Sequence, residues 1–273
     1  MKKLLMIFSI CAMAMSTAFG QDDQYYNGDE ATVTVKAEVA PPALPDYVQP
    51  PCPGDGYLWT PGYWAWGGTG YYWVPGVWVM PPSVGLLWTP GYWGFYGGYY
   101  GWHHGYWGDH VGYYGGVHYG FGYEGVGFYG GRWEGGHFRY NTAVWHVNHN
   151  IHNTYVEAHP INHEGGRASF NGPSGVHYRP GGPEQNTIRE NHVQRTTEQV
   201  NHHENAGHDQ RQFVGPSHAQ PAYHSMNTTG GQHFNSAGHS VNMGGGHSGG
   251  GGHPSGGGGG HSGGGGHGGG GRR

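Results

Sequence analysis

Histidine and tryptophan are the side chains in this sequence whose spacing could do chemistry. His103, His104, Asp109 and His110 lie close together, and imidazole nitrogens beside a carboxylate suit Zn, Ni or Cu. These four are the candidate metal ligands. His146, His149 and His152 recur every third residue, which on a strand alternates faces and makes a poor chelate. His239, His247, His253, His261 and His267 are separated by flexible glycine-rich linkers. They could collect metal weakly through multivalency, although a solvated low-complexity tail is the simpler reading. With 23 histidines in the chain, protonation at a pH of about 6 would reverse the net charge and make association pH-dependent. No other cofactor is expected.

Groups for catalysis are sparse. The repeat-rich region has only Asp109, Glu124 and Glu134 as acids, and nothing pairs two of them as glycosidases require. There is no G-x-S-x-G, and the Gly-x-Gly runs lack the strand-to-helix context of nucleotide loops. Cys52 sits in Pro-Pro-Cys-Pro-Gly, which suits a free thiol or an intermolecular disulfide better than a nucleophile. The expectation is that the protein is not an enzyme. Nor does it look built for nucleic acid. Without Lys2 and Lys3 of the leader, 12 − 2 leaves 10 basic against 17 acidic side chains, whereas phosphate binding needs clustered cations.

Tryptophan carries the stronger signal. W-x-x-G-x-W occurs four times, at Trp59–Trp64, Trp73–Trp78, Trp88–Trp93 and Trp102–Trp107, with spacings of 14, 15 and 14 residues. No Asp, Glu, Lys or Arg lies between Tyr57 and Gly108. Three copies contain Pro-Gly, which suits the centre of a type II turn. Either Pro-Gly closes hairpins, or it is a bulge that brings both tryptophans to one face. Gly67-Gly-Thr-Gly70 and Gly97-Gly98 mark further reversals, and segments such as Tyr71-Tyr-Trp-Val74 are good strand formers. From Tyr57 to Trp145, 30 of 89 residues are Phe, Trp or Tyr. That is more rings than a thin sheet can hide, so an exposed binding or assembly face is expected. Its candidate residues are Trp59, Tyr63, Trp64, Trp73, Trp78, Trp88, Tyr92, Trp93, Trp102, Tyr106 and Trp107.

These elements fit a mainly β fold: a short-stranded antiparallel Trp/Tyr/Gly-rich domain, flanked by disordered segments with one or two short helices after it. Residues 1–20 read as a signal peptide, with Lys2 and Lys3 before an apolar run and Ala18-Phe19-Gly20 as the cleavage site. No transmembrane segment is expected after cleavage. Residues 21–54 read as a Pro-rich spacer, in which Thr32 to Val39 could form a strand. The β domain spans 55–157, with repeats over 59–107 and a Gly/Tyr-rich extension over 108–157 that includes a strand-like alternation at Trp145, Val147, Ile151 and Tyr155. Residues 158–224 read as polar and mostly disordered, with a short helix near 184–205 and a capping box at Thr196-x-x-Gln199. The Gly/His/Ser-rich tail covers 225–273.

The repeats resemble the YXWGXW-repeat family of exported bacterial proteins. The likeness extends through Gly108–Tyr123, Gly131–Phe138, Tyr140–Val144 and Ser169–Gly172. The fourth copy departs, with His103-His104 in place of the apolar-Pro pair. The family implies export and tryptophan repeats, with no established activity and no site. Taken together, the expectation is a non-enzymatic structural or interaction protein of the envelope, located in the periplasm, at the outer-envelope surface or secreted. Its partner would be an envelope glycan, a protein or another copy of itself. The alternative is a carbohydrate-binding module for peptidoglycan or another envelope polysaccharide, and a His-rich metal-binding protein is the third.

Overall fold

Glycine turns, and not the Pro-Gly pairs, reverse this chain. A computed structural model describes residues 32–159, 166–215 and 220–242; the expected leader and residues 243–273 of the expected tail lie outside them. After β1 (Val35–Ala37), the first two repeats supply β2 (Leu58–Thr60), β3 (Tyr63–Trp66), β4 (Tyr71–Val74) and β5 (Gly76–Val79). β3 pairs with β4 and β2 with β5, both antiparallel. The register runs on unshifted, Thr60 facing Val77 and Tyr63 facing Val74. The four strands are therefore one long hairpin, interrupted at Pro61-Gly62 with no residue inserted. Neither Pro-Gly hairpin closure nor a bulge occurs. None of the four repeat glycines has a positive φ, so type II geometry is absent too.

Repeats three and four build a second hairpin to the same plan. β6 (Leu87–Thr89) pairs with β9 (Tyr106–Gly108), and β7 (Tyr92–Phe95) with β8 (Tyr100–His103). The tips are the expected glycine reversals. Gly67 N–H donates to Gly70 O and Tyr96 N–H to Tyr99 O, each at 2.9 Å. Gly68 and Gly97 take φ of +84° and +66° at the first central position, which only glycine adopts at little cost.

This pairing explains the motif. Trp59 faces Trp78, Trp64 faces Trp73, Trp88 faces Trp107 and Trp93 faces Trp102, with ring centroids 5.1–5.4 Å apart and planes steeply inclined. The first tryptophan of each copy also lies on the glycine of its partner copy. A Cβ on Gly76, Gly91 or Gly105 would sit 2.5 Å from Cζ2 of Trp59, Trp102 or Trp88, and one on Gly62 closer still to Trp73. Each glycine is there for close approach, and each pair of copies locks reciprocally.

The flanks complete the sheets. The extension forms β10 (His118–Gly120), β11 (Tyr123–Glu124), β12 (Gly131–Glu134), β13 (His137–Asn141) and β14 (Thr154–Tyr155), followed by β15 (Phe170–Asn171). Two helices, α1 (Gly182–Thr187) and α2 (Thr197–His208), precede β16 (Ser225–Met226), β17 (His233–Phe234) and β18 (Ser240–Val241). One sheet has the order β1-β8-β7-β15 and another β18-β17-β16-β5-β2, so segments from both ends border the repeat hairpins. The fold is mainly β, and the Thr196–Gln199 capping box is present.

Several expectations for the flanks are corrected. Residues 41–53 are not a free spacer: Leu44, Gln49, Pro50 and Cys52 are buried, and the Ala43 and Pro50 carbonyls accept the Trp64 and Trp78 indole N–H. Residues 225–242 are not tail but strands on β5. The run from Trp145 to Tyr155 is mostly irregular, with only β14 and a bridge from Val147 to Cys52. The first difference has a direct cause: buried indole N–H groups need acceptors, and residues 41–53 supply them from a distance in sequence.

Replacing Gly91 with alanine is expected to cost at least about 1–3 kcal/mol, because it overpacks against a ring and backbone that cannot retreat. Gly98→Ala, with open space around it and no positive φ, is expected to be near neutral. Urea unfolding midpoints compare the two.

Candidate functional site

The residues expected to present an aromatic surface instead make the core. Trp59, Trp64, Trp73, Trp78, Trp88, Tyr92, Trp93, Trp102 and Trp107 are buried, and Tyr63 and Tyr106 half-buried. Among the described residues no Phe, Trp or Tyr is exposed. The premise that a thin sheet cannot hide so many rings fails because the rings cover one another and the flanks cover the rest. Trp73 N–H donates to the His224 carbonyl, Trp93 N–H to that of Trp64, and Trp107 N–H to the Gln199 side chain on α2.

The candidate metal ligands are not brought together. His103 is buried, with Nδ1 bonded to the Thr32 hydroxyl at 2.7 Å and Nε2 to the Tyr96 hydroxyl at 2.6 Å. His104 Nδ1 accepts the Trp102 indole N–H at 3.1 Å. Asp109 and His110 are exposed, and His110 pairs with Glu190. Among the described residues no three His, Cys, Asp or Glu side chains group as a metal site. Cys52 is fully buried, its thiol directed at the Gly54 carbonyl and pushed up by burial to about 12. An intermolecular disulfide through this thiol is excluded in the folded chain.

The fourth repeat, where the sequence departs from its pattern, opens a groove of about 370 Å³. His104 stands where the other copies have Pro61, Pro75 and Pro90. A side chain with nitrogen atoms thus replaces an inert ring in the wall. Tyr92 stacks on His103 at 4.5 Å and 10°, and Tyr106 on His192 at 3.6 Å and 19°. Tyr113, Thr32, Thr34 and Gln194 also line the groove, and among the described residues no Asp, Glu, Lys or Arg does. Strand β8 positions His103 and β9 Tyr106, while the chain between α1 and α2 brings His192 and Gln194. That chain is held by reciprocal 2.8 Å backbone hydrogen bonds between Trp107 and Val193. Of the residues picked from sequence, Tyr92, His103, His104 and Tyr106 meet here. Thr32, Thr34, Tyr113, His192 and Gln194 were missed, and only the alternation of Thr32 and Thr34 in an expected strand hinted at any of them.

Beside the groove, α2 packs a histidine cluster onto the first hairpin. His203 bonds the Tyr63 hydroxyl through Nδ1 at 2.9 Å and the Tyr72 hydroxyl through Nε2 at 3.2 Å. Burial, with Arg195 and His104 nearby, lowers His203 to about 4; burial and Arg195 lower His104 to about 4 as well. His202, bonded to the Pro75 carbonyl, is also lowered by burial.

Among known families, the WXXGXW repeat matches residues 54–79 as 2 copies, so the chain carries this repeat. No curated protein and no solved structure matches the chain.

The lowered histidines set a pH dependence. They are neutral when folded and protonate below about 6.5 when unfolded, so the unfolded state binds more protons as pH falls. Their contribution is complete above about 6.5 and is lost as pH drops toward 4. The melting temperature is expected to fall steadily between pH 7 and 4, and the fall to be shallower in His203→Gln. Differential scanning calorimetry at several pH values measures both.

Proposed function

We propose that this is a non-enzymatic, exported interaction protein of the cell envelope that holds a saccharide in the groove of the fourth repeat. The observation that carries this reading is the character of the groove. It is concave, within the roughly 300–1,000 Å³ typical of ligand sites, and lined by tyrosine, imidazole, hydroxyl and amide groups, with no Asp, Glu, Lys or Arg among the described residues. Depression of His104 to about 4 keeps that ring neutral at physiological pH. Such a surface suits a ligand whose body in the groove is uncharged, with apolar C–H faces and many hydroxyls. Rings, threonine hydroxyls and the Gln194 amide together match a pyranose better than they match a phosphate, a metal ion or a lipid tail. The repeats serve this function as the rigid core behind the groove.

Saturable binding of soluble envelope oligosaccharides by the full chain is expected, read by titration calorimetry or by the change in intrinsic fluorescence. Tyr106→Ala and His192→Ala are each expected to weaken it about tenfold or more while leaving circular dichroism native-like. No saturable binding of any oligosaccharide, neutral or acidic, or affinity unchanged in both variants, would overturn the proposal.

A further inference from the structure

An isolated cation adjoins the groove. Arg195 follows Gln194, which lines the groove, and itself lines a small cavity on the other side of His104. The two spaces share Pro90, His104 and Gly105 as walls. Arg195 is half-buried, yet among the described residues no carboxylate lies within ion-pair distance of it. The hydroxyls of Tyr63 and Tyr72 and the rings of His104 and His203 lie near it. In a chain with a net charge of -5, this half-buried cation has no ion-pair partner among the described residues. Sheltered charges are normally paired, because leaving water without a counter-charge is costly.

Size narrows the missing partner. The cavity is about 30 Å³, room for roughly two water-sized groups. That matches the two oxygens of a carboxylate better than a tetrahedral phosphate or sulfate. A guanidinium also meets a carboxylate with two parallel N–H donors, which lysine cannot do. We propose that the saccharide bound in the groove carries a carboxylate, and that Arg195 in the adjoining cavity reads it. The ligand class is then an acidic sugar, whether the acid is a uronic carboxyl or an ether-linked one, with the uncharged ring body in the groove. This rests on the saccharide reading above.

The test uses the full chain and three probes: a neutral disaccharide, the same disaccharide with C6 oxidised to a carboxylate, and the methyl ester of that acid. Calorimetry at low salt is expected to show the acid binding at least tenfold tighter than the other two, with the preference shrinking as salt is raised. Arg195→Gln is expected to bring the acid-to-ester ratio to about one, and Arg195→Lys to leave it intermediate. Should Arg195→Gln melt too low to compare, the acid and ester on the parent protein still decide the matter. Equal affinity of acid and ester overturns the carboxylate proposal and leaves the saccharide reading standing. Binding of none of the three removes both.

Discussion

Tryptophan laid on glycine is the contact from which the rest of this structure follows. In each hairpin the first indole of one repeat covers the glycine of the other, and the two backbones come close enough that Gly62 and Gly76 leave no room for a Cβ. Such contact excludes water and fixes the register, since a slip by one residue would drive a ring into a side chain. Pro-Gly is then a device for bringing two strands together, because it removes a donor and a side chain where they approach.

A core of indoles and phenols creates a second requirement. Each ring brings a polar group that must be bonded once buried, and the hairpins cannot supply all the acceptors themselves. Tyr123 donates to the carbonyls of Trp59 and Trp88, and so ties the two hairpins together; Tyr119 donates to Gly91 and Tyr140 to Tyr57. Pro-rich, Gly/Tyr-rich and helical flanks are all recruited in this way. Their composition looks like that of linkers, yet the Pro-rich and helical flanks supply acceptors to the core indoles, and the Gly/Tyr-rich flank supplies hydroxyl donors to the hairpin carbonyls.

The fourth repeat keeps the tryptophan-glycine lock and changes only what surrounds it. Gly105 still receives Trp88, and Trp107 still faces it. Having His103-His104 where the other copies have Thr-Pro or Val-Pro leaves the scaffold intact and opens a polar wall at one end. The structural repeats and the specific groove are thus separable, and variation at one copy need not destabilise the others.

Sequence alone determined what depends on near neighbours. The two glycine reversals, the strand character of the repeats and the Thr196–Gln199 cap were all legible, because each is set by a few adjacent residues. The role of Pro-Gly stayed open, since a mid-strand break and a turn share the same local residues and differ only in what lies opposite. Burial was not legible at all. Whether Trp73 faces water depends on a carbonyl at His224, 151 residues away, and no pattern near Trp73 announces it. The groove was half visible for the same reason. Tyr92, His103, His104 and Tyr106 stand out within the repeats, whereas His192, Gln194 and Arg195 reach the site only because the chain between the helices folds back onto β9.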